Sequence, residues 1–117
     1  MDSRSFFIAK KYLNKIVEVI IDRPLGSFHP QHKFRYLVNY GYIEGVMAPD
    51  GEELDAYVLK IDKPLEKFTG KVIAIIHRHD DDDDKLVVIP ENETITNEEI
   101  EKSVEFQEKW YKHEIIE

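Results

Sequence analysis

Asn39-Tyr40-Gly41-Tyr42-Ile43-Glu44-Gly45-Val46-Met47-Ala48-Pro49-Asp50-Gly51-Glu52-Glu53-Leu54-Asp55-Ala56-Tyr57-Val58-Leu59 reads as strand, turn, strand. Val38 to Val46 is aromatic and β-branched, Pro49-Asp50-Gly51 is turn chemistry, and Leu54 to Ile61 is a strand of mixed alternation. Three carboxylates, Asp50, Glu52 and Asp55, sit on the turn and its exit. Like charges this close repel, so a fold that gathers them inward needs a cation among them, and hard oxygen donors suit Mg²⁺. Read alone, the same residues make an ordinary acidic hairpin turn.

The flanking segments extend the β pattern. Lys15 to Asp22 is apolar and β-branched and is closed by Arg23-Pro24, since proline restricts the residue before it and cannot donate to a ladder. Residues 25–35 hold Gly26, Pro30, His29 and His32 with little periodicity and read as a loop. Pro64 and Gly70 mark a second loop, Lys71 to Arg78 a buried strand, and Leu86 to Ile89 a last strand closed by Pro90. Five or six short strands without intervening helices point to a small barrel in a mainly β chain. Only the end predicts a helix: Thr96-Asn97-Glu98-Glu99 fits a capping box. At about 100° per residue, Ile100, Val104, Tyr111 and Ile115 share a stripe with Phe106 and Trp110 on its flank, while Glu101, Glu105, Glu108 and Lys112 fall on the opposite, wet face.

Composition narrows the function. The chain has 117 residues, enough for one core, and reads as a single domain over residues 1–117. Without cysteine there is neither a disulfide framework nor a thiolate metal site, so a metal would be held by oxygen or imidazole. No stretch approaches the ~20 apolar residues of a membrane span, and a cytoplasmic protein is expected. The net charge of −8 is uneven: residues 91–117 carry 3 basic and 9 acidic groups. Such a balance disfavours a phosphate-backbone partner bound by counterion release but allows a small anion bridged by metal.

Three pieces now stand in order: the Asn39-Tyr40-Gly41-Tyr42 block, the acidic turn from Asp50 to Asp55, and the run Asp80 to Asp84 followed by Lys85-Leu86-Val87-Val88. Together they resemble the soluble family I inorganic pyrophosphatases, whose signature reads Asp-x-Asp-(Pro/Glu)-apolar-Asp. The resemblance implies a closed five-stranded OB-like β-barrel with a C-terminal amphipathic helix. It also implies an acid-anhydride hydrolase that splits pyrophosphate into two phosphates by in-line attack of water activated by Mg²⁺, with Mn²⁺ as a substitute. Asp50, Glu52 and Asp55 would be central metal ligands, with Glu52 and Asp55 also in the chemistry. Counting back from a phosphate-binding Lys85 makes Asp83 a further ligand, and Asp80 or Asp81 another. Tyr40 would meet phosphate, Tyr111 and Lys112 match a Tyr-Lys pair on the closing helix, and Asp22 would support the metal shell from behind. The partner would be a small molecule and not nucleic acid or membrane. Self-association is left open.

Two departures stand out. Glu52 replaces the family's middle aspartate, and one extra methylene moves a carboxylate by ~1.5 Å, enough to weaken catalysis unless the backbone compensates. The stretch bearing the family's phosphate-binding lysine and arginine is short: thirteen residues separate Asp22 from Tyr36, and only Lys33 and Arg35, with His29 and His32, are on offer. Arg35 is taken as a substrate contact, and a weak activity is expected. Two rivals remain, a phosphohydrolase acting on another phosphoanhydride and a noncatalytic OB-type binding module.

Overall fold

In a computed structural model, which describes residues 4–31, 33–49 and 51–117, the strand reading becomes a closed barrel. The elements are α1 (Arg4–Lys10), β1 (Ile16–Arg23), β2 (Asn39–Met47), β3 (Glu53–Val58), β4 (Lys67–Arg78), β5 (Lys85–Ile89), α2 (Asn97–Glu108) and β6 (His113–Ile116). The sheet runs β1-β2-β3-β5-β4-β6, and β1 also pairs with β4, which closes five strands on themselves. All neighbours are antiparallel except β3 and β5, where Ala56 pairs with Leu86 and Val58 with Val88. The expected five-stranded OB-like barrel with a C-terminal helix is therefore present.

Alternation sorts the strands' side chains into two layers. Val17, Val19, Ile21, Ile43, Leu54, Ala56, Val58, Val72, Ile75, Leu86 and Val88 come from all five strands and fill the interior, with Phe6 and Ala9 of α1 packed against them. Tyr40, Tyr57, Leu59, Ala74, Ile76, Val87 and Ile89 point outward and are covered by Ile100 and Val104 of α2. β5 is consequently buried along its whole length. This second layer matters for function, because Asp55 and Lys85 lie in phase with Tyr57 and Val87 and so emerge on the face that α2 covers.

The Asn39-Tyr40-Gly41 block has a steric reason. A Cβ on Gly41 would lie 1.8 Å from the Ile20 carbonyl oxygen, so only glycine lets β2 cross β1 this closely. The buried amide of Asn39 accepts from the Leu25 and Leu65 backbone N–H groups, both at 3.0 Å, and donates to the Lys63 carbonyl at 2.8 Å, tying two loops together.

Three expectations need correcting. Gly70 is not in a loop: β4 begins at Lys67 and pairs there with β1. The helix α1 gave too little periodicity to read, being seven residues long with only Ser5, Phe6 and Ala9 buried. The C-terminal helix starts at the expected capping box, with Thr96 and Glu99 in reciprocal contact, but it stops at Glu108, short of the Tyr111 and Ile115 that the expected stripe included. His113–Ile116 instead pairs with β4, Ile75 opposite Ile116 and Arg78 opposite His113. Covering an open sheet edge outweighs another turn of helix. Glu108, expected on the wet face, is fully buried as a result.

Candidate active site

A cavity of about 510 Å³ opens on the outward face of the barrel beside the end of α2. Its floor holds Tyr40, Asp55, Arg78, Asp83 and Lys85, and its mouth holds His29, Phe34, Trp110 and Tyr111.

The floor is assembled by register. The pairing of Ala56 with Leu86 sets Asp55 beside Lys85 at the starts of two parallel strands. The Lys85 Nζ donates to Asp55 Oδ2 at 2.7 Å and to Asp83 Oδ1 at 2.9 Å. Tyr40, diagonal to Asp55 across β2 and β3, donates its hydroxyl to Asp55 Oδ2 at 2.8 Å. Burial opposes the charge on Lys85, but Asp55 and Asp83 outweigh it and hold the ammonium above its ordinary pKa. Burial first, then Asp55 and Asp83, pushes the Tyr40 phenol well above its ordinary value, so it remains a proton donor.

Behind this floor lies a buried polar network. Arg78 gives Nε to Glu108 Oε1 at 2.9 Å and Nη2 to Glu108 Oε2 at 2.8 Å, a two-pronged pairing. Tyr57 donates to Glu108 Oε2 at 2.6 Å, Gln107 Nε2 donates to the Tyr57 hydroxyl at 2.7 Å, and Tyr36 donates to Gln107 Oε1 at 2.9 Å. The guanidinium carbon of Arg78 lies 3.7 Å from the centroid of the Tyr111 ring. Burial raises the phenols of Tyr57 and Tyr36, the latter to about 12.

The aspartate run is divided among different tasks. Asp80 accepts from the Lys112 backbone N–H at 3.1 Å. Asp81 meets Arg78 Nη1 at 3.3 Å, and Asp82 accepts from the Ser5 N–H at 2.7 Å. Asp83 faces Lys85, with Arg78 Nη1 at 3.5 Å from its other oxygen. Asp84 is fully buried and holds His77 Nδ1 at 2.8 Å and the Arg78 N–H at 3.1 Å. The run is thus not a set of interchangeable carboxylates.

Of the residues singled out from sequence, Tyr40, Asp55, Asp83, Lys85 and Tyr111 line the cavity. Glu52 is exposed on the turn before β3, and Asp80 and Lys112 meet each other through the Lys112 backbone. Arg35 is exposed and stacks over Phe28, 4.8 Å from the ring centroid. Asp22, half exposed at the end of β1, has its carboxyl held above the ordinary range by partial desolvation, with Arg23 opposing and Asp55 adding. Asp50 and His32 lie outside the described residues. His29, named from sequence among the residues on offer in the short stretch before Tyr36, also lines the cavity, whereas Arg78, Gln107, Phe34 and Trp110 were not singled out as site residues. The signals for Arg78 and Trp110 were a cation next to the acidic run and a tryptophan on the flank of the expected helical stripe.

Oxygen donors of this kind suit a hard divalent cation. Among the described residues no three ligating side chains converge, and Asp55 and Asp83 are both turned toward Lys85. The carboxylates open to the cavity, Asp55 and Asp83, nevertheless converge on one point, which the Lys85 ammonium occupies. The donor set therefore fits a cation in chemistry, with Lys85 standing where one would share the same carboxylates.

The profile of the family described as inorganic pyrophosphatase matches residues 9–115. Among solved structures, the fold is similar to an inorganic pyrophosphatase from Ehrlichia chaffeensis, with 18% identity, a TM-score of 0.67, and coverage of 87% of this chain and 85% of that one. An inorganic pyrophosphatase from Coxiella burnetii is similar at 20% identity and TM-score 0.65, over 84% of this chain and 78% of that one. One from Thermus thermophilus matches at 15% identity and TM-score 0.60, over 87% and 80%. No curated protein matches by sequence.

Proposed function

The chain belongs to the inorganic pyrophosphatase family, and from that premise we propose that it hydrolyses pyrophosphate to two phosphates on the floor formed by Tyr40, Asp55, Asp83 and Lys85. The observation that carries this reading is the Lys85 ammonium held between Asp55 and Asp83, with the Tyr40 hydroxyl on the same Asp55 oxygen. Water forms one P–O bond as the bridging P–O bond breaks, and the proton that the attacking water gives up ends on the leaving phosphate, so that two hydrogen phosphates result. Asp55 and Asp83 supply acceptors for that proton. Lys85 and Tyr40 supply donors for the phosphoryl oxygens, whose charge must be met as the leaving phosphate departs.

A divalent cation, Mg²⁺ or Mn²⁺, would be held by Asp55 and Asp83 with the donors expected at Asp50, Glu52 and either Asp80 or Asp81, with Asp22 supporting that shell from behind, and would neutralise the substrate and acidify water. The chain's own part is orientation. The Glu108–Arg78 pair fixes the end of β4, the Asp81–Asp84 segment hangs from it, and Asp83 is thereby aimed at Lys85. Net charge of −8 supports a small cation-bridged anion over a nucleic-acid backbone, and among the described residues no helix is long and apolar enough to cross a membrane. The reading retains the cytoplasmic setting and the small-molecule partner expected from sequence.

Phosphate release from pyrophosphate across millimolar Mg²⁺ and Mn²⁺ tests the reaction. No release at any concentration of either metal overturns it. The cation has an independent readout: Mg²⁺ is expected to raise the melting temperature in a concentration-dependent way, and Asp55→Asn to remove that rise.

A further inference from the structure

Pyrophosphate accounts for the floor of the cavity and not for its mouth. The mouth is aromatic. His29 and Phe34 are 4.9 Å apart between ring centroids, Phe34 and Trp110 5.4 Å, and Tyr111 lies beyond, above Arg78. Trp110 is 57% exposed and Tyr111 is 36% exposed, although both border a cavity. Rings that served only to pack α2 on the barrel would be covered, as Tyr36 and Tyr57 are. Pyrophosphate and hydrated cations have no apolar or planar face to set against such a wall. At about 510 Å³ the cavity also falls within the ~300–1,000 Å³ range of sites that enclose drug-sized ligands.

We infer that this mouth receives the base of a nucleoside diphosphate, whose anhydride then lies on the charged floor; the inference rests on the proposed function for that floor. Planar bases stack on aromatic side chains in a sequence-tolerant way, because every base has a π face. His29 and Phe34, from the stretch that the sequence shows to be short in cationic ligands, contribute rings to the cavity instead. Specificity would shift with them, from a grip on two phosphoryl groups to a grip on one end and a base on the other. Cleavage would proceed as on pyrophosphate: water adds to the terminal phosphorus, the bridging P–O bond breaks, and inorganic phosphate, nucleoside monophosphate and one proton result. Lys109 Nζ lies 4.7 Å from the centroid of Trp110, which biases the orientation of the indole at the rim.

The chain has a single tryptophan, so its fluorescence reports on the mouth alone. With Mg²⁺ present and excitation beyond the absorption of the base, adenosine diphosphate is expected to quench Trp110 saturably, and pyrophosphate to reverse the quenching by taking the floor. Phe34→Ala, which keeps the fluorophore, is expected to weaken that binding by roughly 10-fold, the scale of one lost stacking contact. Trp110→Leu is expected to lower kcat/KM on adenosine diphosphate by roughly 10-fold more than on pyrophosphate. If pyrophosphate is cleaved while the nucleotide neither quenches nor reacts, the inference falls and the pyrophosphatase reading stands. If the nucleotide quenches and is cleaved while pyrophosphate is not, the inference stands and pyrophosphate is displaced as substrate. Equal losses on both substrates in Trp110→Leu also overturn the inference, since the wall would then serve the floor and not a base.

Discussion

Arg78 and Lys85 stand at the two ends of the aspartate run, both buried and both charged, and they are held in opposite ways. Arg78, 4% exposed, is locked by the fork-to-fork pairing with a fully buried Glu108 and stacked against Tyr111, and only its Nη1 is turned to Asp81 and Asp83 on the cavity side, at 3.3 and 3.5 Å. Lys85, 3% exposed, touches Asp55 and Asp83 by single contacts, and both of those carboxylates reach the cavity. A planar guanidinium with fixed donors suits a staple, and a rotatable ammonium suits a site whose partners change during a reaction. The difference teaches that a cation near acidic residues takes its role from whether its partners are sealed or open to ligand.

The largest expected effect tests the sealed side. Arg78→Met leaves Glu108 buried without its cation and should cost about 3–5 kcal/mol, read as a lower urea midpoint. The double change Arg78→Met with Glu108→Leu should recover most of that loss, because an apolar pair of similar volume removes the stranded charge. An unchanged midpoint in the single variant would break the comparison at its structural end.

Lys85→Ala tests the open side. It should lower kcat/KM on pyrophosphate about 10²-fold, the scale of one positioned donor, with a smaller effect on the urea midpoint than Arg78→Met. Arg35→Ala is the matched control, a cation outside the cavity whose removal should stay within about twofold. If the two variants lose activity equally, the phosphate site extends beyond the floor described above.

The aspartates between the two cations sharpen the contrast. Asp84 is sealed behind His77 and the Arg78 backbone, so Asp84→Ala should cost roughly 1–3 kcal/mol through the buried donors it leaves unmet. Asp81, with a side chain 38% exposed and a single contact to Arg78, should tolerate Asp81→Ala within about 0.5 kcal/mol. Equal tolerance at both positions would return the run to a set of spare carboxylates.

A small, pH-dependent effect lies on the strand facing Arg78. His113, opposite Arg78 in the β4–β6 register, is opposed by burial but held above its ordinary 6.5 by the Tyr111 carbonyl and Glu101. A raised folded value means that its contribution is complete below the unfolded pKa and is lost as pH rises through the folded one. Thermal melts of the wild type and His113→Gln should therefore differ more near pH ~5.5 than near pH ~8.5, by under about 1 kcal/mol given the exposure of Glu101. A difference that grows with pH would reverse the assignment.

Sequence alone determined the barrel, because alternating β-branched runs punctuated by proline and glycine leave few other ways to bury their faces. It also determined the start of α2, since the Thr96 and Glu99 capping box is a local device that depends on no distant residue. The family resemblance named Tyr40, Asp55, Asp83 and Lys85, which strand register carries to one floor, but it also named Glu52, Asp80 and Arg35, which lie outside the cavity. The fate of Glu108, Arg78, Trp110 and Tyr111 was decided by tertiary structure. Helical periodicity had set Glu108 in water and Tyr111 in a stripe, and both were reassigned when His113–Ile116 paired with the open edge of β4 and ended the helix early. Such pairing joins residues far apart in sequence, and its energy comes from an edge that no local pattern can announce.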